Sequence, residues 1–176
     1  MQNEIENLNS LVSEIAKLLA ERGETLSTAE SCTGGMIASS IVNVSGASSF
    51  FKGGACTYWN EAKHNILGVP QRILDKYTEV SEETALAMAE GARQIYNTDW
   101  AVSTTGVAGP NGGTPGKPVG FVWMGVASNC KKIALNVKFS GNREEIREKT
   151  VFKVLTLLRN AIFEENEQKS TCTKVQ

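Results

Sequence analysis

The stretch Thr28-Ala29-Glu30-Ser31-Cys32-Thr33-Gly34-Gly35 sets hydroxyls, a carboxylate, a thiol and two glycines where a core strand entering a helix would carry apolar residues. A serine on a sharp strand-to-helix turn can lift its hydroxyl clear of the sheet, and the amides that open the helix are free to stabilise an oxyanion. Gly34 and Gly35 would let a substrate approach the backbone closely. Ser31 is thus a candidate nucleophile. The alternative is that Ser31 and Thr33 simply cap the helix, and composition alone leaves both readings open. Cys32 is a rival nucleophile, but nothing in its surroundings marks it as exposed or favours its thiolate, so a buried structural thiol is the reading preferred here.

A serine nucleophile needs a base. The only histidine, His64, directly follows Lys63, and helical neighbours point about 100° apart, so the two cannot readily face one site. If Lys63 turns inward, burial lowers its proton affinity toward the neutral amine that general-base work requires. Tyr58, five positions earlier, could relay or orient the proton. Considered alone, a lysine such as Lys63 is more often an ordinary solvated residue than a catalytic one.

Other patterns carry less. Ser49-Phe50-Phe51-Lys52 has Ser-x-x-Lys spacing, but Gly53-Gly54 would break the helix that such a pair needs. The segment from Gly106 to Gly120 matches neither a P-loop nor a dinucleotide fingerprint, though its amides could wrap an anion. Asn142 followed three residues later by Glu145 is a capping box, which places Arg143 and Arg147 on one face of the opening turns. Cations there oppose the helix dipole unless an anion binds between them and the free amides, so a phosphate site and a plain Glu144 to Arg147 pair are both consistent with the spacing.

The elements that must position these residues follow from periodicity and punctuation. Ile5, Leu8, Val12, Ile15 and Leu19 mark an opening helix that ends at Gly23. Thr25–Glu30 reads as a strand and Met36–Val42 as a helix; Gly53–Trp59 reads as a second strand, with Asn60 placed to cap a helix through Leu67. A helix starts at Ser81 and runs to about Tyr96, a strand spans Trp100–Thr105, and Gly106–Gly120 holds six of the 16 glycines and three of the four prolines, hence loop. Phe121–Ala127 and Lys132–Phe139 form a hairpin, and a last helix begins near Asn142 with the stripe Val151, Val154, Leu155, Leu158 and Ile162. The expected fold is α/β, a three-layer α/β/α sandwich with a mixed central sheet. Residues 1–165 make one domain and 166–176 a frayed tail.

Composition narrows the function classes. The chain has 176 residues, four scattered cysteines without a CxxC pair and one histidine, which argues against a zinc site. A net charge of -1 and the absence of a basic cluster argue against nucleic acid as a partner. No apolar run is long enough to span a bilayer and the acidic amino terminus is unlike a secretion signal, so a cytoplasmic protein with reduced thiols and no membrane partner is expected. Aromatic residues expected at the surface, such as Trp59, point to a homo-oligomer.

Four blocks taken in order, TAESCTGG, TYWNEAK, STTGVAGPNGGTPGKPVGFV and FSGNREEIR, resemble the CinA carboxy-terminal domain family, the nicotinamide-nucleotide amidohydrolases, over roughly Leu11 to Ile162. The resemblance implies hydrolysis of the carboxamide of nicotinamide mononucleotide to nicotinic acid mononucleotide and ammonia, with no metal or organic cofactor. It implies Ser31 as nucleophile, with Tyr58, Asn60 and Lys63 around it. Thr33, Gly34, Gly35, Thr105, Gly106 and Gly109 would line the substrate, and Arg143 with Arg147 would take the nucleotide phosphate. The chain departs from its relatives in carrying Asn142, where Asp is frequent, and Thr57, where Ser is common. Both changes preserve capping ability or a hydroxyl, while the lost charge at 142 bears on how Arg143 is held.

Overall fold

The structure is a computed structural model, which describes residues 2–173 and, for side chains, residues 8–165. Helix α1 (Gln2–Arg22) ends at Gly23, and strand β1 (Leu26–Glu30) follows, buried along its whole length. Then come α2 (Met36–Val42), β2 (Phe51–Cys56), α3 (Asn60–Leu67), α4 (Gln71–Tyr77), α5 (Glu82–Ile95), β3 (Trp100–Gly106), β4 (Phe121–Ser128), β5 (Lys132–Lys138) and α6 (Arg143–Thr173).

The five strands form one mixed sheet in the order β2-β1-β3-β4-β5. Strands β2, β1 and β3 run parallel, and β4 and β5 continue antiparallel from β3. One face is covered by α1, α2 and α6, whose Ile15, Leu19, Ile37, Val154 and Leu158 are fully buried with Val102 and Met124 of the sheet. The other face packs Leu67, Leu74, Met88 and Ala92 of α3, α4 and α5 against Ala29 and Ala101. Helices on both faces of the sheet make the three-layer α/β/α sandwich with a mixed sheet that the pattern predicts.

This topology collects one edge. The carboxyl ends of β1, β2 and β3 lie side by side, because Glu30 pairs with both Cys56 and Thr104. Antiparallel pairing of Gly106 with Val122 and of Phe121 with Lys138 returns the end of β5, and so the start of α6, to that same edge. Crevices outside the carboxyl ends of parallel strands are where open α/β sheets bind ligands.

Several local expectations need correction. Strand β2 starts two residues before Gly53 and ends at Cys56, so Thr57 to Trp59 form the connection to α3. Trp59, not Asn60, occupies the cap position of α3, and no side-chain cap is made there. Helix α4 has no counterpart in the sequence reading, being a seven-residue turn of chain that starts after Pro70 and buries only Leu74. Ser49 and Lys52 fall on a 3₁₀ turn and on β2 respectively, consistent with discounting their spacing. Helix α6 continues to Thr173, beyond Glu164 where the apolar stripe stops, and 174–176 lie outside the described residues.

Candidate active site

Ser31 opens the turn between β1 and α2, with 8 % of its surface exposed and its amide donating to the Thr104 carbonyl at 3.0 Å. Two consecutive left-handed glycines, Gly34 (φ 59°) and Gly35 (φ 93°), close the turn, a conformation that side chains with a Cβ resist. The hydroxyl does not cap α2. That work falls to Glu30, whose buried carboxylate accepts from the amides of Gly35 (2.9 Å) and Ile37 (3.0 Å) through Oε2 and of Ala38 (2.9 Å) through Oε1. Thr33 does not cap either, because its hydroxyl is hydrogen-bonded to that of Thr104 at 2.7 Å. The capping reading of Ser31 is therefore removed.

Lys63 meets Ser31. Helix α3 turns this side chain inward with no exposed surface, and Nζ donates to Ser31 Oγ at 3.1 Å, to the Thr57 carbonyl at 2.9 Å and to the Tyr58 carbonyl at 3.3 Å. Burial lowers the lysine's pKa below its ordinary 10.5, opposed in part by the charge of Glu79 and the neighbouring Cys32. His64, one residue on, is exposed and its Nδ1 pairs with the Val69 carbonyl at 2.9 Å, away from Ser31.

A neutral amine has two hydrogens and one lone pair. Carbonyl oxygens can only accept, so in that state Thr57 and Tyr58 take the two hydrogens and the lone pair is left for the Ser31 hydroxyl. This is the geometry of a serine hydroxyl with an adjacent general base. Cys32, by contrast, is 5 % exposed and its thiol is pushed up to about 12, chiefly by burial, which removes it as a rival nucleophile.

The turn also fixes which amides remain free. The Gly34 amide folds back to the Ser31 carbonyl (3.2 Å) and the Gly35 amide is held by Glu30. Among the described residues the Thr33 amide donates to no protein acceptor, and the Cys32 amide faces only its own thiol.

The remaining residues singled out in the sequence gather around this centre with different contacts. The Tyr58 hydroxyl is hydrogen-bonded to Arg143 at 3.0 Å, so it is the carbonyl of Tyr58, and not its phenol, that touches Lys63. A proton relay through that phenol is accordingly not what the contacts describe. Arg143 also donates to the Gly109 carbonyl at 2.6 Å, and Arg147, one turn on, donates to the Thr33 carbonyl at 2.7 Å rather than pairing with Glu144. Asn142 completes the capping box, accepting from the amides of Glu144 and Glu145 while Glu145 accepts from its own amide. The Thr105 hydroxyl donates to the Glu79 carbonyl at 2.6 Å, tying β3 to the segment before α5, and Gly106 ends β3. Asn60 is the first residue of α3 and its side chain makes no hydrogen bond among the described residues.

A recess of about 570 Å³ beside Arg143, bounded by Ala108, Pro110, Val119 and Asn142, opens on the same edge. Among the described residues no group of three or more His, Cys, Asp and Glu side chains could hold a metal ion, and no helix is long and apolar enough to cross a membrane.

Sequence reasoning missed Glu30. The available signal was a carboxylate at the end of a buried strand, five residues before the glycine that stands at the cap position of the next helix.

The family model of the CinA C-terminal domain matches residues 8–162. The chain belongs to the CinA C-terminal domain family. It is similar to the protein named putative competence-damage inducible protein of Thermoanaerobacter pseudethanolicus, 50 % identical over 145 residues that make up 82 % of this chain and 35 % of that protein. The protein of the same name from Clostridium beijerinckii is 51 % identical over 148 residues, 84 % of this chain and 36 % of its own. The chain thus spans about a third of the length of the curated relatives it matches. Among solved structures it is similar to the competence/damage inducible protein CihA from Agrobacterium tumefaciens, at a TM-score of 0.85 and 37 % identity, covering 88 % of this chain and 94 % of that one. The CinA superfamily protein KP700603 from Klebsiella pneumoniae 700603 superposes at a TM-score of 0.86 and 30 % identity, covering 89 % and 98 %.

Proposed function

We propose that this domain hydrolyses the carboxamide of nicotinamide mononucleotide to nicotinic acid mononucleotide and ammonia. The observation that carries the reading is the 3.1 Å contact between Ser31 Oγ and the Nζ of a lysine with no exposed surface. The substrate is argued from the resemblance of the four sequence blocks to the nicotinamide-nucleotide amidohydrolases, and from two arginines of α6 standing at the rim of the same centre.

In this mechanism neutral Lys63 takes the Ser31 proton as Oγ attacks the carboxamide carbon, and the carbonyl π pair moves onto oxygen. The amides of Cys32 and Thr33, which no other described residue takes, would be the donors for that oxyanion, each worth about 3 to 4 kcal/mol when well aimed. Collapse of the tetrahedral adduct breaks the C–N bond as the Lys63 ammonium returns the proton to the leaving nitrogen, and ammonia departs. Water then attacks the ester, Lys63 takes its proton, and the acid leaves as Ser31 Oγ is reprotonated. Arg143 and Arg147 would hold the phosphate, and the recess beside Arg143 has the volume of a small-ligand site.

An ammonia-coupled assay with nicotinamide mononucleotide, free nicotinamide and the intact dinucleotide tests the reading. Release from the mononucleotide that disappears in Ser31→Ala, with the circular dichroism of the variant unchanged, is expected. Turnover retained by Ser31→Ala refutes the mechanism, and saturable nucleotide binding without ammonia release would mark a non-catalytic relative that keeps the pocket. A homo-oligomer belongs to the same proposal, because Trp59 is 74 % and Tyr58 60 % exposed beside the site; light scattering that finds only monomer refutes it.

A further inference from the structure

Glu30 links the two halves of the Ser31–Lys63 pair. Its side chain is 1 % exposed, and among the described residues no lysine or arginine lies within ion-pair distance of it. A buried carboxylate without a cation is costly unless its oxygens are fully hydrogen-bonded. Here three amides at the start of α2 supply those bonds, at 2.9, 3.0 and 2.9 Å. They are charge-assisted and lie at the positive end of the helix, the arrangement in which a carboxylate is held most firmly.

The consequence is geometric. Residues 31 to 35 hang from Glu30 at both ends, by the peptide bond at Ser31 and by the carboxylate at Gly35. The backbone carbonyl of Glu30 meanwhile accepts from the Thr57 amide at 2.8 Å, and the Thr57 carbonyl accepts from Lys63 Nζ at 2.9 Å. One residue therefore anchors the turn that carries the hydroxyl and the connection that holds the amine. By occupying the Gly35 amide, the carboxylate also leaves Cys32 and Thr33 as the amides of the turn that, among the described residues, no other residue accepts from.

We propose that Glu30 is a positioning residue that sets the attack geometry of Ser31, an assignment that rests on the proposed amidase reading but makes a separate demand on the structure. Glutamine has nearly the same shape, yet it replaces one acceptor oxygen with a donor, so it cannot serve all three amides. The bonds from Gly35 and Ile37, which one carboxylate oxygen accepts, lose their charge assistance, and the Ala38 bond to the other oxygen is lost, so the second anchor of the turn is weakened. A displacement on the order of 1 Å of a reacting group can cost about a hundredfold in rate.

The test compares wild type, Glu30→Gln and Glu30→Asp at a temperature well below each variant's melting point. Three quantities are read: kcat and KM for ammonia release from nicotinamide mononucleotide, the rate of Ser31 modification by a small fluorophosphonate, and hydrogen exchange of the Gly35, Ile37 and Ala38 amides. Glu30→Gln is expected to lower kcat and the modification rate by about a hundredfold with KM little changed. The three amides should lose protection, while Glu30→Asp, which keeps the charge but draws the oxygens back by one methylene, should fall between. A role confined to stability would lower the melting point and leave kcat and the modification rate alone. Should Glu30→Gln fail to fold, Glu30→Asp carries the comparison. Equal modification rates in wild type and variants, or no modification of wild-type Ser31 at all, overturn the proposal. Absence of ammonia release from a wild type whose Ser31 is modified at a rate sensitive to Glu30 sinks the amidase reading and leaves the positioning role standing.

Discussion

Replacing Lys63 with Met removes the amine while keeping an unbranched chain of similar length in a site with no solvent exposure, and it separates the lysine's two effects. The first is catalytic. A positioned general base contributes about 10² to 10⁴ in rate, or about 2.7 to 5.4 kcal/mol of barrier at 1.36 kcal/mol per tenfold. The second concerns stability. Because burial lowers the Lys63 pKa from 10.5, the unfolded chain holds more protons than the folded one between that lowered value and 10.5. Stability of the wild type therefore rises with pH across that window, by up to about 1.4 kcal/mol per pH unit, and the contribution levels off below and above it. Cys32 acts in the opposite sense. Its thiol ionises near 9.0 when unfolded and at about 12 when folded, so its contribution is fully present below 9.0 and is lost as pH climbs toward 12. Lys63 and Cys32 act on each other's charge, so the Lys63→Met curve is subtracted from that of the wild type below pH 9.0, where the thiol is protonated in both states and the difference isolates the lysine. Urea unfolding followed by circular dichroism from pH 6 to pH 10.5 gives both curves. Parallel curves, with no pH-dependent difference, would refute the claim that Lys63 is held toward the neutral form, whatever the loss of activity.

Three further outcomes follow from the same contacts. A Cβ placed on Gly91 of α5 would lie 1.9 Å from the Leu67 carbonyl oxygen at the end of α3, so Gly91→Ala should push away the helix that carries Lys63; destabilisation of about 1 to 3 kcal/mol in urea titration is expected, with loss of ammonia release, and unchanged kcat would contradict it. Arg143→Ala removes the guanidinium held by Gly109 and Tyr58 and should raise KM for the mononucleotide by about 10 to 100-fold, the equivalent of a charge-assisted hydrogen bond, in steady-state kinetics. Cys32→Ala leaves the backbone donor in place and should keep kcat within about threefold, and in the wild type thiol reagents should modify exposed Cys56 and Cys130 while sparing Cys32 until the protein unfolds.

Much of this was legible because the sequence punctuates its elements strongly. The apolar stripe of α1 stops at Gly23, Ser81 caps α5 by accepting from the Thr84 amide, and Asn142 with Glu145 caps α6 as the spacing requires. The sharp turn after β1 was written in its glycines. What was not legible depends on partners distant in the chain. Helix α4 has neither a capping side chain nor a full apolar stripe, so local pattern could not reveal it. Asn60 has the residue type of a cap, but α3 begins one residue sooner than that role requires, so Asn60 is its first residue and Trp59 stands at the cap. The phenol of Tyr58 finds Arg143 85 residues away, a pairing that only the folded sheet edge creates. Glu30 escaped notice for the same reason that it matters: a carboxylate in a buried strand looks like an error in the pattern until the amides that satisfy it are seen.

Capture of the acyl group by hydroxylamine tests the account's central claim most directly. If Ser31 Oγ forms an ester with the substrate while Lys63 carries the proton, ammonia release in the presence of hydroxylamine should continue while the acid product is diverted in part to the hydroxamate, and Ser31→Ala and Lys63→Met should yield neither. Undiminished acid with no hydroxamate, at hydroxylamine concentrations that leave ammonia release intact, would show water attacking the carboxamide without an ester at Ser31 and would contradict the account.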